Sequence, residues 1–307
     1  MAATILPGVR EAIDAECAAA RVRVQFYARD LASGAELGID SDTPVVLASV
    51  FKIPVALELG AQFDSGRLQP TERVRVPAEG RTTGPTGLSV LQDEVELSLR
   101  DLAQLMISVS DNAATDIVMA RVGGRDAVNA TLQRLGLGQT HLEGDCAFLL
   151  ARLVDDLQLS DAERARLSQG DEEVFADNAA SRWAACRDLQ AHTTNRSTPR
   201  ETVRLLEMIW KDEAASPDAC AFARRIMGQQ VWPHRLRAGF PASVRTSGKT
   251  GTLPFVRNEA GVVEYADGSR YAVAVFTVSE TATLLQPDAD RVIGRIARLA
   301  VDALRAA

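Results

Sequence analysis

Strand character lies at the two ends of this 307-residue chain, and a long helical block separates them. Near the start, "RVRVQFYARD" alternates, with Val22, Val24 and Phe26 on one face, the period of a half-buried strand. "LASGAELGID" follows, with Ser33-Gly34 as the turn of a hairpin. Strand character returns only in "SVRTSGKTGTL", "GVVEYADG" and "RYAVAVFTVS", divided by Gly and Asp-Gly turns. Between them, "LSLRDLAQLMISVSD" places Leu99, Leu102, Leu105, Met106 and Val109 on one helix face. "TPRETVRLLEMIW" reads as a helix with Thr198 as N-cap and Pro199 as its first residue. "DRVIGRIARLAVDALRAA" closes the chain as an amphipathic helix. The expected fold is α/β of the α+β kind. One antiparallel sheet is built from both termini and flanked by helices, with an inserted all-helical subdomain. One domain of residues 1–307 would comprise a sheet lobe (1–45 plus 211–307) and a helical lobe (46–210). A cleft between the lobes is the expected place for a site.

Composition narrows the function classes. A hydrophobic fraction of 46% and a net charge of −7, without a basic block, fit a globular protein and argue against nucleic acid as a partner. No apolar run approaches the roughly 18 residues of a membrane span. The N-terminal stretch lacks a basic region followed by an apolar core, so a cytoplasmic location is expected, or export if a signal has been removed. The four cysteines, Cys17, Cys146, Cys186 and Cys220, form no C-x-x-C pair and no zinc spacing. They read as buried free thiols, and no metal or cofactor is expected.

Lysine usage points to the chemistry. Of 34 basic residues only Lys52, Lys211 and Lys249 are lysines. Lys52 lies in the apolar run "LASVFKIPVALELG", three residues after Ser49. If a helix begins near Ser49, the two side chains share a face, with Cβ atoms about 5–6 Å apart. A serine hydroxyl needs a base, and a lysine can be one only if desolvation or a nearby cation lowers its pKa. Alone, S-x-x-K is a weak signal. Two further motifs strengthen it: Ser110-Asp111-Asn112 at the end of a helix, and Lys249-Thr250-Gly251 in a late strand. The histidines His141, His192 and His234 have no G-x-S-x-G partner, which argues against a Ser-His-Asp triad.

The set S-x-x-K, S-D-N and K-T-G, in this order and spacing, resembles that of the penicillin-recognising serine enzymes, most closely the class A β-lactamases. The resemblance covers nearly the whole chain, including "SVSDNAATDIVMARVGG" and "HRLRAGFPASVRTSGKTG". It implies that Ser49 is the acylated nucleophile and Lys52 the base or proton relay. Ser110 would pass a proton to the leaving nitrogen, with Lys249 keeping the local potential positive. Asn112 would bond a substrate amide. Gly251 would let substrate lie close to the strand. The N–H groups of Ser49 and Thr252 would form the oxyanion hole. Thr250 and Arg235 would hold a substrate carboxylate, Arg237 being structural, and Asp111 would bond local backbone.

The chain departs from the family after the SDN helix. Class A enzymes carry a Glu-x-x-x-Asn loop whose Glu activates the deacylating water. Here "LGLGQTHLEGDCAFLLARL" occupies that place, and ungapped counting puts Cys146 at the glutamate position. Glu143 and Asp145 are neighbouring replacements, and Glu172 and Glu173 are others. A segment of about residues 147–195 is longer than the family's loop, and "LSDAERARL" within it reads as a helix capped by Ser160. The expected function is a serine acyl-enzyme hydrolase acting on a carboxylate-bearing amide or ester, β-lactams included, with slow deacylation. The alternatives are a cytoplasmic esterase or acyltransferase of the same fold, and a β-lactam-binding sensor or trap.

Overall fold

A computed structural model describes residues 7–168, 174, 180–283 and 285–307. The chain opens with α1 (Pro7–Ala20), β1 (Val22–Asp30), β2 (Glu36–Ile39) and β3 (Val45–Val46). A one-turn 3-10 helix, Ala48–Phe51, runs straight into α2 (Lys52–Asp64). Then come β4 (Arg73–Val76), β5 (Val95–Ser98), α3 (Leu99–Ser108), α4 (Asn112–Val122), α5 (Gly124–Arg134), α6 (Cys146–Asp156) and α7 (Asp161–Ser168). After a short helix, Ala180–Ala185, the chain forms β6 (Arg196–Ser197) and the helices Pro199–Trp210 and Pro217–Met227. Strands β7 (Arg245–Leu253), β8 (Val256–Glu264) and β9 (Arg270–Ser279) precede the final helix, Pro287–Ala306.

Five strands pair antiparallel in the order β2-β1-β9-β8-β7, so the first strands of the chain join the last. Phe26 faces Val275 and Tyr27 faces Ala274 in the β1–β9 register. The alternation in β1 predicts one buried face, but Phe26, Tyr27 and Ala28 are all buried. The cause is cover on both sides. Phe26, Ala28, Val273 and Val275 pack with Ile293, Ile296 and Val301 of the last helix. Tyr27, Ala272, Ala274 and Phe276 belong to the core shared with α2 and α3.

The block between the sheet strands is mainly helical, and two short ribbons interrupt it, β3 with β6 and β4 with β5. Arg73-Val74-Arg75-Val76 does alternate, with the valines inward, but the run is only four residues long. The helix Pro199–Trp210 packs across β1 and β9, so this end of the expected helical lobe belongs to the sheet. Its N-cap is Thr198, whose hydroxyl accepts from the Glu201 N–H, and Ser160 caps α7 in the same way through the Glu163 N–H. The added segment has its own small core of Leu153, Leu157, Leu159, Val174, Trp183 and Cys186. Trp183 meets Phe255 of the β7–β8 turn edge-on, with ring centroids 5.4 Å apart. Glu172 and Glu173 lie outside the described residues.

Candidate active site

The site forms where three buried elements meet. Helix α2 is buried from Lys52 through Gly60, so its first residue brings an amine into the core. Ser110 lies between α3 and α4 with φ of 64°, a left-handed conformation that is costly for a residue with a side chain. Lys52 Nζ holds it there, donating to the Ser110 carbonyl at 2.8 Å. The next residue, Asp111, caps α4 through the Ala114 N–H and accepts from the Leu88 N–H at 2.6 Å. Asp111 is therefore a structural clamp that fixes its neighbours Ser110 and Asn112.

Of the expected Ser49, Lys52, Ser110 and Lys249, the last three converge, and Ser49 lies in the turn that leads into Lys52. Lys52 Nζ is 3.3 Å from the Ser110 hydroxyl and 3.0 Å from Asn112 Oδ1. Lys249 Nζ donates to the same hydroxyl at 2.9 Å and to the Thr250 carbonyl at 2.9 Å. Both lysines are fully buried. Burial pushes the Lys52 amine below the ordinary lysine range, against the pull of Cys146, Asp116 and Asp111. Lys249 falls well below it, first through burial and then through the charge of Lys52. Ser49 is half-buried in the turn just before Lys52. A serine, two lysines of lowered proton affinity and an intervening hydroxyl make up an apparatus for serine acylation.

Strand β7 packs directly on the Ser49 turn. A Cβ at Gly251 would come 2.6 Å from the Leu47 carbonyl and 3.2 Å from Ala48 Cβ. This corrects the expected reason for Gly251: the space it leaves is filled by the chain's own serine-bearing turn, not kept for substrate. The Thr250 N–H donates away from the sheet to Gln230 Oε1 at 2.8 Å. Two residues on, Thr252 faces the same way, because backbone groups alternate along a strand. Among the described residues neither the Thr252 nor the Ser49 N–H has an acceptor. Two open donors beside Ser49 have the arrangement of an oxyanion hole.

Asn112 gives one amide N–H to the Thr83 carbonyl at 2.9 Å, and its second N–H has no partner among the described residues. Thr250 is buried and Thr252 exposed. Arg235 differs from expectation. Its guanidinium is buried and donates to Asp290 at 2.7 Å, to the Gly251 and Asn258 carbonyls at 2.9 Å each, and to Thr252 Oγ1 at 2.7 Å. It stands behind the strand and orients the Thr252 hydroxyl; it does not offer a free fork to a carboxylate. Arg237 donates to the Pro241, Ala242 and Val244 carbonyls, a structural role.

The carboxylates expected as replacement bases are engaged elsewhere. Glu143 pairs with Arg196 at 2.8 Å, and its N–H donates to Asn195. Asp145 caps α6, accepting from the Phe148 N–H at 2.8 Å. The group beside Lys52 is Cys146, the first residue of α6. Burial pushes its thiol up to about 12, and Lys52 opposes this only in part. It is thus neutral and a poor proton acceptor.

Sequence reasoning missed Asp116. Its Oδ1 accepts from the Cys146 N–H at 2.7 Å, and its Oδ2 from the Ala147 N–H at 2.9 Å and the Thr82 hydroxyl at 2.6 Å. It seats the first turn of α6 against Lys52. Burial raises its proton affinity. The available signal was its position one helical turn after Asn112, on the same face.

Comparison with known proteins agrees with this geometry. The family described as "Beta-lactamase enzyme family" matches residues 8–304. The β-lactamase regulatory protein BlaB of Streptomyces cacaoi is 31% identical over 293 residues, covering 91% of this chain and 92% of its own. A β-lactamase of Bacteroides uniformis is 26% identical over 271 residues, covering 84% of this chain and 79% of its own. Among solved structures, a β-lactamase from Chitinophaga pinensis superposes with a TM-score of 0.76 at 26% identity, covering 97% of this chain and 99% of that one. PBP-A, solved in a point-mutant form as an acyl-enzyme complex with penicillin G, shares the fold with a TM-score of 0.75 at 22% identity, each chain covered in full. The chain belongs to the β-lactamase enzyme family and is a serine hydrolase of the class A β-lactamase-like fold.

Proposed function

We propose that the protein is acylated on Ser49 by β-lactams and releases the product slowly. In this reading Lys52, its proton affinity lowered by burial, takes the Ser49 proton directly or through Ser110. The Ser49 oxygen attacks the lactam carbonyl, and the oxyanion receives the N–H groups of Ser49 and Thr252. Ser110 delivers a proton to the leaving nitrogen and is resupplied by Lys52, which carries the Ser49 proton, while Lys249 holds the local potential positive. Thr250 and Thr252 meet the substrate carboxylate on the positive side of the cleft, and Asn112 meets the side-chain amide.

One observation supports the slow second step: Cys146, which the sequence register sets at the family's glutamate position, is a buried thiol held neutral. General base catalysis is worth about 10²–10⁴-fold, so its loss leaves acylation intact and deacylation limiting. A second reading, a β-lactam sensor that uses the long-lived adduct as its signal, is favoured by the likeness to a protein named as a β-lactamase regulator.

Stopped-flow mixing with a chromogenic cephalosporin tests the proposal. A burst of about one equivalent followed by slow turnover is expected. Linear turnover without a burst would overturn slow deacylation, and no reaction would overturn β-lactam acylation.

A further inference from the structure

A buried carboxylate outside the proposed chemistry acts on the substrate strand. Glu259 of β8 lies opposite Thr250 and is almost wholly shielded from solvent. Its Oε2 accepts from the Leu236 N–H at 2.7 Å, and its Oε1 accepts from Gln230 Nε2 at 2.6 Å. The Gln230 amide is thereby held with its oxygen toward the strand, where it accepts the Thr250 N–H at 2.8 Å. The carbonyl of Thr250 is also occupied, by Lys249 Nζ at 2.9 Å. Both outward backbone groups of Thr250 are therefore filled by the protein. Those of Thr252 have no partner among the described residues. β7 is the edge strand of the sheet, so its outward groups are the ones an extended ligand can pair with.

We propose that Gln230, oriented by Glu259, is a register-setting residue. It fills the edge N–H one pairing step before Thr252, so that an acyl group of peptide-like form pairs with β7 only at Thr252, beside Ser49. Successive outward positions are about 6.6–6.8 Å apart along a strand, so a ligand carbonyl bound at Thr250 would be held well away from the serine. Such a complex binds without reacting. Burial raises the proton affinity of Glu259, and neither of its forms loses the ability to accept from Gln230.

This inference rests on the proposed acylation, and the test separates the two. Pre-steady-state acylation by penicillin G gives the limiting rate k2 and the binding constant Ks for the wild type, Gln230→Leu and Gln230→Glu. Leu cannot accept the Thr250 N–H and opens the second register. Non-productive binding lowers k2 and Ks together and leaves k2/Ks unchanged, by about twofold for two equally populated registers. The Gln230→Glu variant keeps an oxygen for the N–H, shares a proton with Glu259, and is expected to behave as the wild type. A fall in k2/Ks for Gln230→Leu would mean that Gln230 only supports the site's structure, and unchanged k2 and Ks would mean that it sets nothing. Either result overturns the proposal, as does a Glu variant that behaves like Leu. Failure of the wild type to be acylated would instead overturn the reading on which it rests.

Discussion

Lys249 Nζ lies 2.9 Å from the hydroxyl of half-buried Ser110, and Lys52 Nζ, fully buried like Lys249, approaches the same hydroxyl at 3.3 Å. Two ammonium groups in such a place oppose each other's charge, so the cluster favours one neutral amine. Substitution should separate their roles. Lys52→Arg is expected to lose acylation by about 10²–10⁴-fold, the usual worth of a general base, because guanidinium does not deprotonate. Lys249→Arg keeps the positive potential and should lose less. Stopped-flow acylation rates check the order, and equal losses would place the base elsewhere.

The pH dependence follows from the same burial. Both lysines are held below their ordinary range, so the neutral form appears at lower pH than for a solvated amine. Acylation should rise with pH through the lowered value and level off before about 10.4, the solvated lysine value. Stability shares the sign in that window. The unfolded chain binds more protons than the folded one between the lowered and ordinary values, so these lysines make stability rise with pH there. Asp116 and Glu259 are raised instead. They add stability that is present below the ordinary carboxylate range and is lost as pH rises through their raised values. Urea titrations across pH would show the two opposing limbs.

Asp116 holds α6 in place through two backbone N–H groups. In Asp116→Ala the Cys146 N–H loses its acceptor at a cost of about 1–3 kcal/mol, while the exposed Ala147 N–H can turn to water. Urea unfolding should show that loss. The Cys146 thiol should also become accessible to a thiol reagent, since its shielding depends on the seating of α6. An Ala variant as stable as the wild type would contradict this role.

Ungapped counting sets Cys146 at the family's second-step glutamate position. Cys146→Glu should speed deacylation about tenfold or more, below the full 10²–10⁴ of an optimised base because the larger side chain enters a packed site. Single-turnover decay of the acyl adduct gives the rate. An unchanged decay would show that the position does not reach the water.

Much of the site was legible because its key residues are few and chemically unusual. A chain with three lysines placed two of them in serine-enzyme motifs, and Lys52 and Lys249 both reach the Ser110 hydroxyl. The sheet was legible because strand-like runs lay at both ends. What stayed hidden depends on contacts between residues far apart in sequence. Nothing local distinguishes Glu259 or Gln230, which matter through contacts such as the 2.6 Å one between β8 and the segment after the helix Pro217–Met227. Asp145 looked like a free carboxylate until the first turn of α6 claimed it as a cap. Gly251 was assigned to the wrong neighbour because the close approach of β7 to the Ser49 turn is a tertiary fact. Arg235 was expected to hold a substrate carboxylate, but its partner Asp290 comes from the last helix, and only the folded chain shows its charge already met.

The central claim is an intact first step and a crippled second one, and the mass of the whole protein after mixing with penicillin G tests it most directly. The account predicts one full-mass adduct per chain, formed quickly, located on Ser49, absent in Ser49→Ala, and lost slowly over the time course. Rapid hydrolysis with no adduct at any time, or an adduct that persists in Ser49→Ala, would contradict it.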